Sequence, residues 1–83
     1  MDSLVLIRKL DKDSYLYSYE NSAGFDWSVK IEKTKRYVHS EDINWVVSVL
    51  SKKLEWKQVL VLDKIVSLPE VKDTVCKLLD TMS

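Results

Sequence analysis

The sequence predicts an α+β fold: a three-stranded antiparallel meander, then a helix, a short strand and a C-terminal helix (β-β-β-α-β-α), with both helices on one face of the sheet. Three observations predict it. Apolar side chains alternate with period two through the first third of the chain. Spacing near 3.6 residues begins at about residue 40 and returns at the C-terminal end. Between those stretches lies a short, continuous, β-branched run, Val59 to Leu62.

The first strand spans about residues 3–10, where Leu4, Leu6 and Leu10 alternate with Val5, Ile7 and Lys9. Both of its faces are largely apolar, which places it centrally in the sheet. Asp11-Lys12-Asp13-Ser14 is a turn. Tyr15, Tyr17 and Tyr19 then alternate with Leu16, Ser18 and Glu20 in the clearest strand of the chain. A turn at Asn21-Ser22-Ala23-Gly24 leads to a third strand, in which Trp27, Val29 and Ile31 share a face.

Pairing across the second turn sets Tyr19 opposite Trp27, Tyr17 opposite Val29 and Tyr15 opposite Ile31. A two-residue turn at Lys12-Asp13 sets Leu10, Arg8 and Leu6 opposite Tyr15, Tyr17 and Tyr19. In that register Arg8 meets the Tyr17 ring as a cation–π partner.

Ser40, followed by Glu41 and Asp42, has the chemistry of a helix N-cap and first turn. Ile43, Val46, Val47, Leu50 and Leu54 continue at helical spacing, and Lys52 and Lys53 suit a helix C-terminus, giving a helix at about 40–54. Residues 56–66 fit a short strand better than a helix, although Trp56, Val59, Leu60 and Val66 also match a 3.6 period. Ser67-Leu68-Pro69-Glu70 starts the last helix, with Val71, Val75, Leu78, Leu79 and Met82 as its apolar stripe.

The 83 residues make a single domain, 1–83, with an apolar content of 46% and a charged content of 31%. So short a chain has a thin stability margin. One cysteine allows no internal disulfide and one histidine no His-rich metal site, so a partner subunit is the staple left open. No metal and no cofactor is expected. Thirteen basic and thirteen acidic residues cancel, which weakens any claim of broad nucleic-acid or anionic-membrane binding and mildly favours association. The N-terminus lacks the pattern of a signal peptide, and no apolar run is long enough to span a membrane. With a lone thiol, this points to a reducing, cytoplasmic setting. The small size and the lysine bias would suit a phage or viral regulator.

Catalytic motifs are missing: there is no phosphate loop, nucleophile elbow, HExxH or CxxC. Cys76 with His39 is the one nucleophile–base combination available, but Cys76 borders the apolar stripe of the last helix and His39 precedes a helix start. The strand order resembles the opening half of an RNase H-type fold, with Asp63 ending the fourth strand. That fold groups several carboxylates around a metal, and the first strand has none at its centre, so no active-site residue carries over. The chain is expected not to be an enzyme.

Two binding functions compete. The first is a small protein-interaction module (an inhibitor, adaptor or assembly subunit) that docks on another protein or on itself as a homodimer. Trp45 and Val49 lie beside the apolar stripe of the first helix, so its apolar arc is too wide for one packing face. With Trp56, and with Val5 and Ile7 on the sheet, they are the candidate protein-binding residues. The alternative is a single-stranded nucleic-acid-binding domain. It would stack bases on Tyr15, Tyr17 and Tyr19 and hold phosphates with Lys30, Lys33, Lys35 and Arg36.

Overall fold

The computed structural model describes residues 3–20, 26–50 and 54–82. Strands β1 (Ser3–Asp11), β2 (Ser14–Glu20), β3 (Asp26–Lys35), β4 (Ile43–Leu50) and β5 (Trp56–Asp63) precede one helix, α1 (Leu68–Met82). The strands form a single antiparallel sheet in the order β1-β2-β3-β4-β5. The order is thus β-β-β-β-β-α, and it corrects the β-β-β-α-β-α arrangement at its first helix. The likeness to the RNase H-type order goes with that helix.

Residues 43–50 form a strand buried on both faces, a continuous run rich in β-branched side chains. Trp45, Val47 and Val49 face one side; Val46 and Ser48 face the other; all five are buried. Ile43 and Val47 are four apart, a spacing that keeps two residues on one face in a strand as well as in a helix. Trp45 and Val49, which widen a helical arc too far, fall into line in a strand. The β-branched valines favour that choice. Ser40 caps no helix; its Oγ accepts the Asp42 N–H at 3.2 Å, a local turn ahead of β4. Lys52 and Lys53, assigned to the end of that helix, lie outside the described residues, as does the turn at 21–24.

The β2–β3 register sets Tyr15 opposite Ile31, Tyr17 opposite Val29 and Tyr19 opposite Trp27, the pairing that the alternation predicts. The β1–β2 register differs from prediction. Asp11 does pair with Ser14, but the register then slips twice, at Leu10 and again at Ile7. Leu6 therefore faces Tyr17, Leu4 faces Tyr19, and Lys9 faces Tyr15. Arg8 pairs with Leu16 on the opposite side of the sheet, so it does not meet Tyr17. Two one-residue bulges together restore the inside–outside alternation, because strand side chains repeat every two residues.

α1 begins with Ser67 Oγ accepting the Glu70 N–H at 3.4 Å, with Pro69 in the first turn. Val71, Val75 and Leu79 pack on Tyr17, Tyr19, Val29, Ile31, Trp45, Val47 and Val49. Two polar contacts fix the path of the helix over the sheet. Trp45 Nε1 donates to the Val66 carbonyl at 2.6 Å, just before α1 starts. Near the other end, the Tyr19 hydroxyl donates to Asp80. The helix therefore runs from β4 towards β2 and covers one face of the sheet. The other face carries Leu16, Ser18, Ser28, Lys30, Glu32, Val46, Ser48 and Leu50, and α1 leaves it uncovered.

Candidate functional site

The structure divides the expected protein-binding residues into two groups. Trp45, only 6% exposed, and Val49 belong to the core under α1. The Trp45 indole needs a hydrogen-bond partner when buried and finds it in Val66. Val5, Ile7 and Trp56 are exposed. Trp56 lies opposite Leu50, which places it on the helix-free face, where the Lys30 ammonium sits 4.8 Å from its ring centroid. Val5 lies opposite Ser18 on that same face, at the far edge of the sheet.

The expected nucleic-acid-binding set is divided as well. Tyr17 and Tyr19 are buried beneath α1 and Tyr15 is half-buried, so the three rings do not form an open stacking platform. Lys30 pairs with Leu16 and lies on the sheet face opposite the tyrosines, bridged to Glu32 at 3.6 Å. Lys33 and Lys35 share the tyrosine side by alternation, with Lys33 held 5.3 Å above the Trp45 ring. Arg36 sits over Tyr37 and lines a shallow groove along β5 with Gln58, Val59, Leu60 and Val61.

Four exposed apolar side chains lie on β1: Leu6 on the helix side, Val5 on the helix-free side, and Ile7 and Leu10 at the bulges, with Ile7 57% exposed. β1 is an edge strand, not the central one that its two apolar faces imply. Its bulges occur at Ile7 and Leu10, the two residues left out of the β1–β2 register. Bulges re-aim side chains and interrupt a strand's capacity to pair. Arg8 and Lys9 add charge to the same edge, a second barrier to ladder extension by another strand. What β1 offers is therefore side-chain surface, not an open hydrogen-bonding edge.

Beside that surface, two lysines are held over two tyrosines. Lys9 Nζ lies 5.7 Å from the Tyr15 ring centroid, and Lys72 Nζ of α1 lies 5.3 Å from that of Tyr17. The two rings are 6.3 Å apart and tilted by 33°. Burial raises the Tyr17 hydroxyl above its ordinary pKa, and the neighbouring Tyr15 adds to the effect. The sequence pattern assigns no role to Lys9 or Lys72, and it places Leu6 and Leu10 only as strand residues opposite the tyrosines. The signal was present in Leu4-Val5-Leu6-Ile7 running directly into Arg8-Lys9, an apolar strand carrying edge-type charges.

Cys76 packs against the core from α1, while His39 is exposed in the loop between β3 and β4. Among the described residues no group of His, Cys, Asp and Glu side chains could hold a metal ion, and no helix is long and apolar enough to cross a membrane. A scan against protein-family models finds no match, and searches of curated proteins and of solved structures return none.

Proposed function

We propose that this chain is a protein-docking module and that β1 is its docking surface. One observation carries the reading: Leu6, Ile7 and Leu10 stand exposed along one edge strand, Ile7 and Leu10 at bulges, with Val5 exposed on the reverse face. Side chains of this kind within an ordinary core contribute about 1.5–3 kcal/mol each when fully buried. Here each stays between 39% and 57% exposed, and grouped apolar surface of this type marks interaction sites. These side chains lie outside the buried cluster that α1 closes over the sheet. The test is capture of a partner from the organism's own extract by the wild-type chain and by Ile7→Lys. A partner held by the first and lost by the second, with the fold unchanged, supports the reading. A partner that both variants hold equally places docking elsewhere.

A second reading keeps single-stranded nucleic acid but moves it to the helix-free face. Trp56 is 43% exposed there beside Lys30, on a surface carrying the hydroxyls of Ser18 and Ser28. An exposed indole next to a cation can stack a base and contact a phosphate. This reading expects oligothymidylate to quench Trp56 fluorescence at low salt, with loss of binding in Trp56→Ala and a steep fall with added salt. No quenching at low salt would remove it.

A further inference from the structure

We infer that the β1 surface takes an extended segment of a different protein in which acidic and apolar side chains alternate, and not a second copy of this chain. The inference rests on β1 being the docking surface and adds the chemistry of what docks there.

The charge pattern carries it. The Lys9 and Lys72 ammoniums are pinned over adjacent tyrosine rings, and neither pairs with a carboxylate among the described residues. A ring face orients an ammonium through its quadrupole but leaves the full positive charge in place. Lys33 adds a third cation over the Trp45 ring, on the strand that pairs with β2. On the tyrosine side of β1, Leu6 precedes Lys9, with the bulged Ile7 and Leu10 next to them along the strand; Arg8 lies on the reverse side. Leu6 and Lys9 point to the same side of the sheet, opposite Tyr17 and Tyr15. A ligand complementary to this strip must present carboxylates next to apolar groups at strand-like spacing.

Two other occupants fit poorly. In a two-fold dimer the same patch meets itself. Lys9 and Lys72 of one copy would then approach the same residues of the other, and like charges brought together oppose association. Single-stranded nucleic acid has nothing apolar along its backbone to cover Ile7 and Leu10. Its bases would also find the Tyr15 and Tyr17 rings already occupied by ammoniums. A chain of zero net charge supplies little long-range attraction for a polyanion in any case.

The experiment titrates the isotope-labelled full chain with synthetic peptides of alternating Glu and Leu, followed by NMR. Peptides of alternating Lys and Leu, and of alternating Glu and Ser, serve as comparisons, with oligothymidylate as a fourth probe. The Glu–Leu peptide should move the signals of β1 and of Tyr15 and Tyr17. Its affinity should fall about three- to tenfold in a Lys9→Gln, Lys72→Gln double variant and recover in Lys9→Arg, Lys72→Arg. Salt should erase that difference. The inference is overturned if the Glu–Leu peptide does not bind, if the Lys–Leu peptide binds as well, or if oligothymidylate displaces it. A wild-type dimer in sedimentation velocity that Ile7→Lys dissociates would overturn it too. If Ile7→Lys abolishes peptide binding while the lysine variants leave it intact, the docking surface stands and the acidic preference falls. If neither substitution changes binding, both fall.

Discussion

β1 and β4 are both apolar strands of similar length, yet they have opposite fates. β4 has neighbours on both sides, with β3 and β5 pairing along it, and Trp45 through Val49 are buried without a break. β1 has one neighbour, two bulges and an apolar run, Val5-Leu6-Ile7, that stays exposed. Composition alone does not separate them. Position in the sheet does, because an interior strand is covered by its neighbours and an edge strand must find another cover. The same kind of side chain is buried in β4 and stays about half exposed in β1.

That contrast can be broken or sharpened by substitution. The largest effect is expected in β4. Trp45→Ala empties a core position and removes the hydrogen bond to Val66, and should cost about 3–5 kcal/mol, read from urea unfolding. A loss below about 1 kcal/mol would mean that the core is not where β4 places it.

A smaller effect of opposite sign is expected just beyond β4. Leu54 has φ of 62° with its side chain in solvent, a left-handed backbone that leucine adopts only at a cost. Leu54→Gly should stabilise by up to about 1 kcal/mol, since backbone relief outweighs any lost contact. A destabilised variant would show that the Leu54 side chain matters more than its backbone.

Tyr17, beneath α1, gives a third and smaller effect, visible only at alkaline pH. Its folded pKa is raised, chiefly by burial, so the folded chain holds the hydroxyl proton longer than the unfolded chain does. The stability it contributes is complete below its unfolded value of about 10 and is lost as pH rises through the folded value. From about pH 10 up to the folded value, stability should fall less steeply in Tyr17→Phe than in the wild type. Parallel pH profiles for the two proteins would contradict the assignment.

Much of this structure was legible in the sequence, and the failures have physical causes. The tyrosine alternation located β2, and its match with Trp27, Val29 and Ile31 set the β2–β3 register. The Leu68–Met82 helix followed from Ser67, Pro69 and the spacing of Val71, Val75 and Leu79. β4 was hidden because its buried residues fill both faces, which blurs period two into a continuous run. Ser40, Glu41 and Asp42 deepened the confusion, since an N-cap and a local turn call for the same side chains. The bulges at Ile7 and Leu10 left no mark in the pattern, so Arg8 was assigned to the wrong side of the sheet. The candidate site suffered most. Trp45 belongs to the core because residue 45 is on a strand under α1; Lys9 reaches Tyr15 through the bulged β1–β2 pairing, and Lys72 reaches Tyr17 only because α1 folds back over the sheet.

The most direct test of the claim that β1 serves docking and not folding is the urea unfolding of Ile7→Lys against the wild type. Ile7 stands 57% exposed at a bulge, so the stability change should stay within about 0.5 kcal/mol. A loss of about 2 kcal/mol or more would show that the β1 strip belongs to the core, and the docking surface would have to be sought elsewhere.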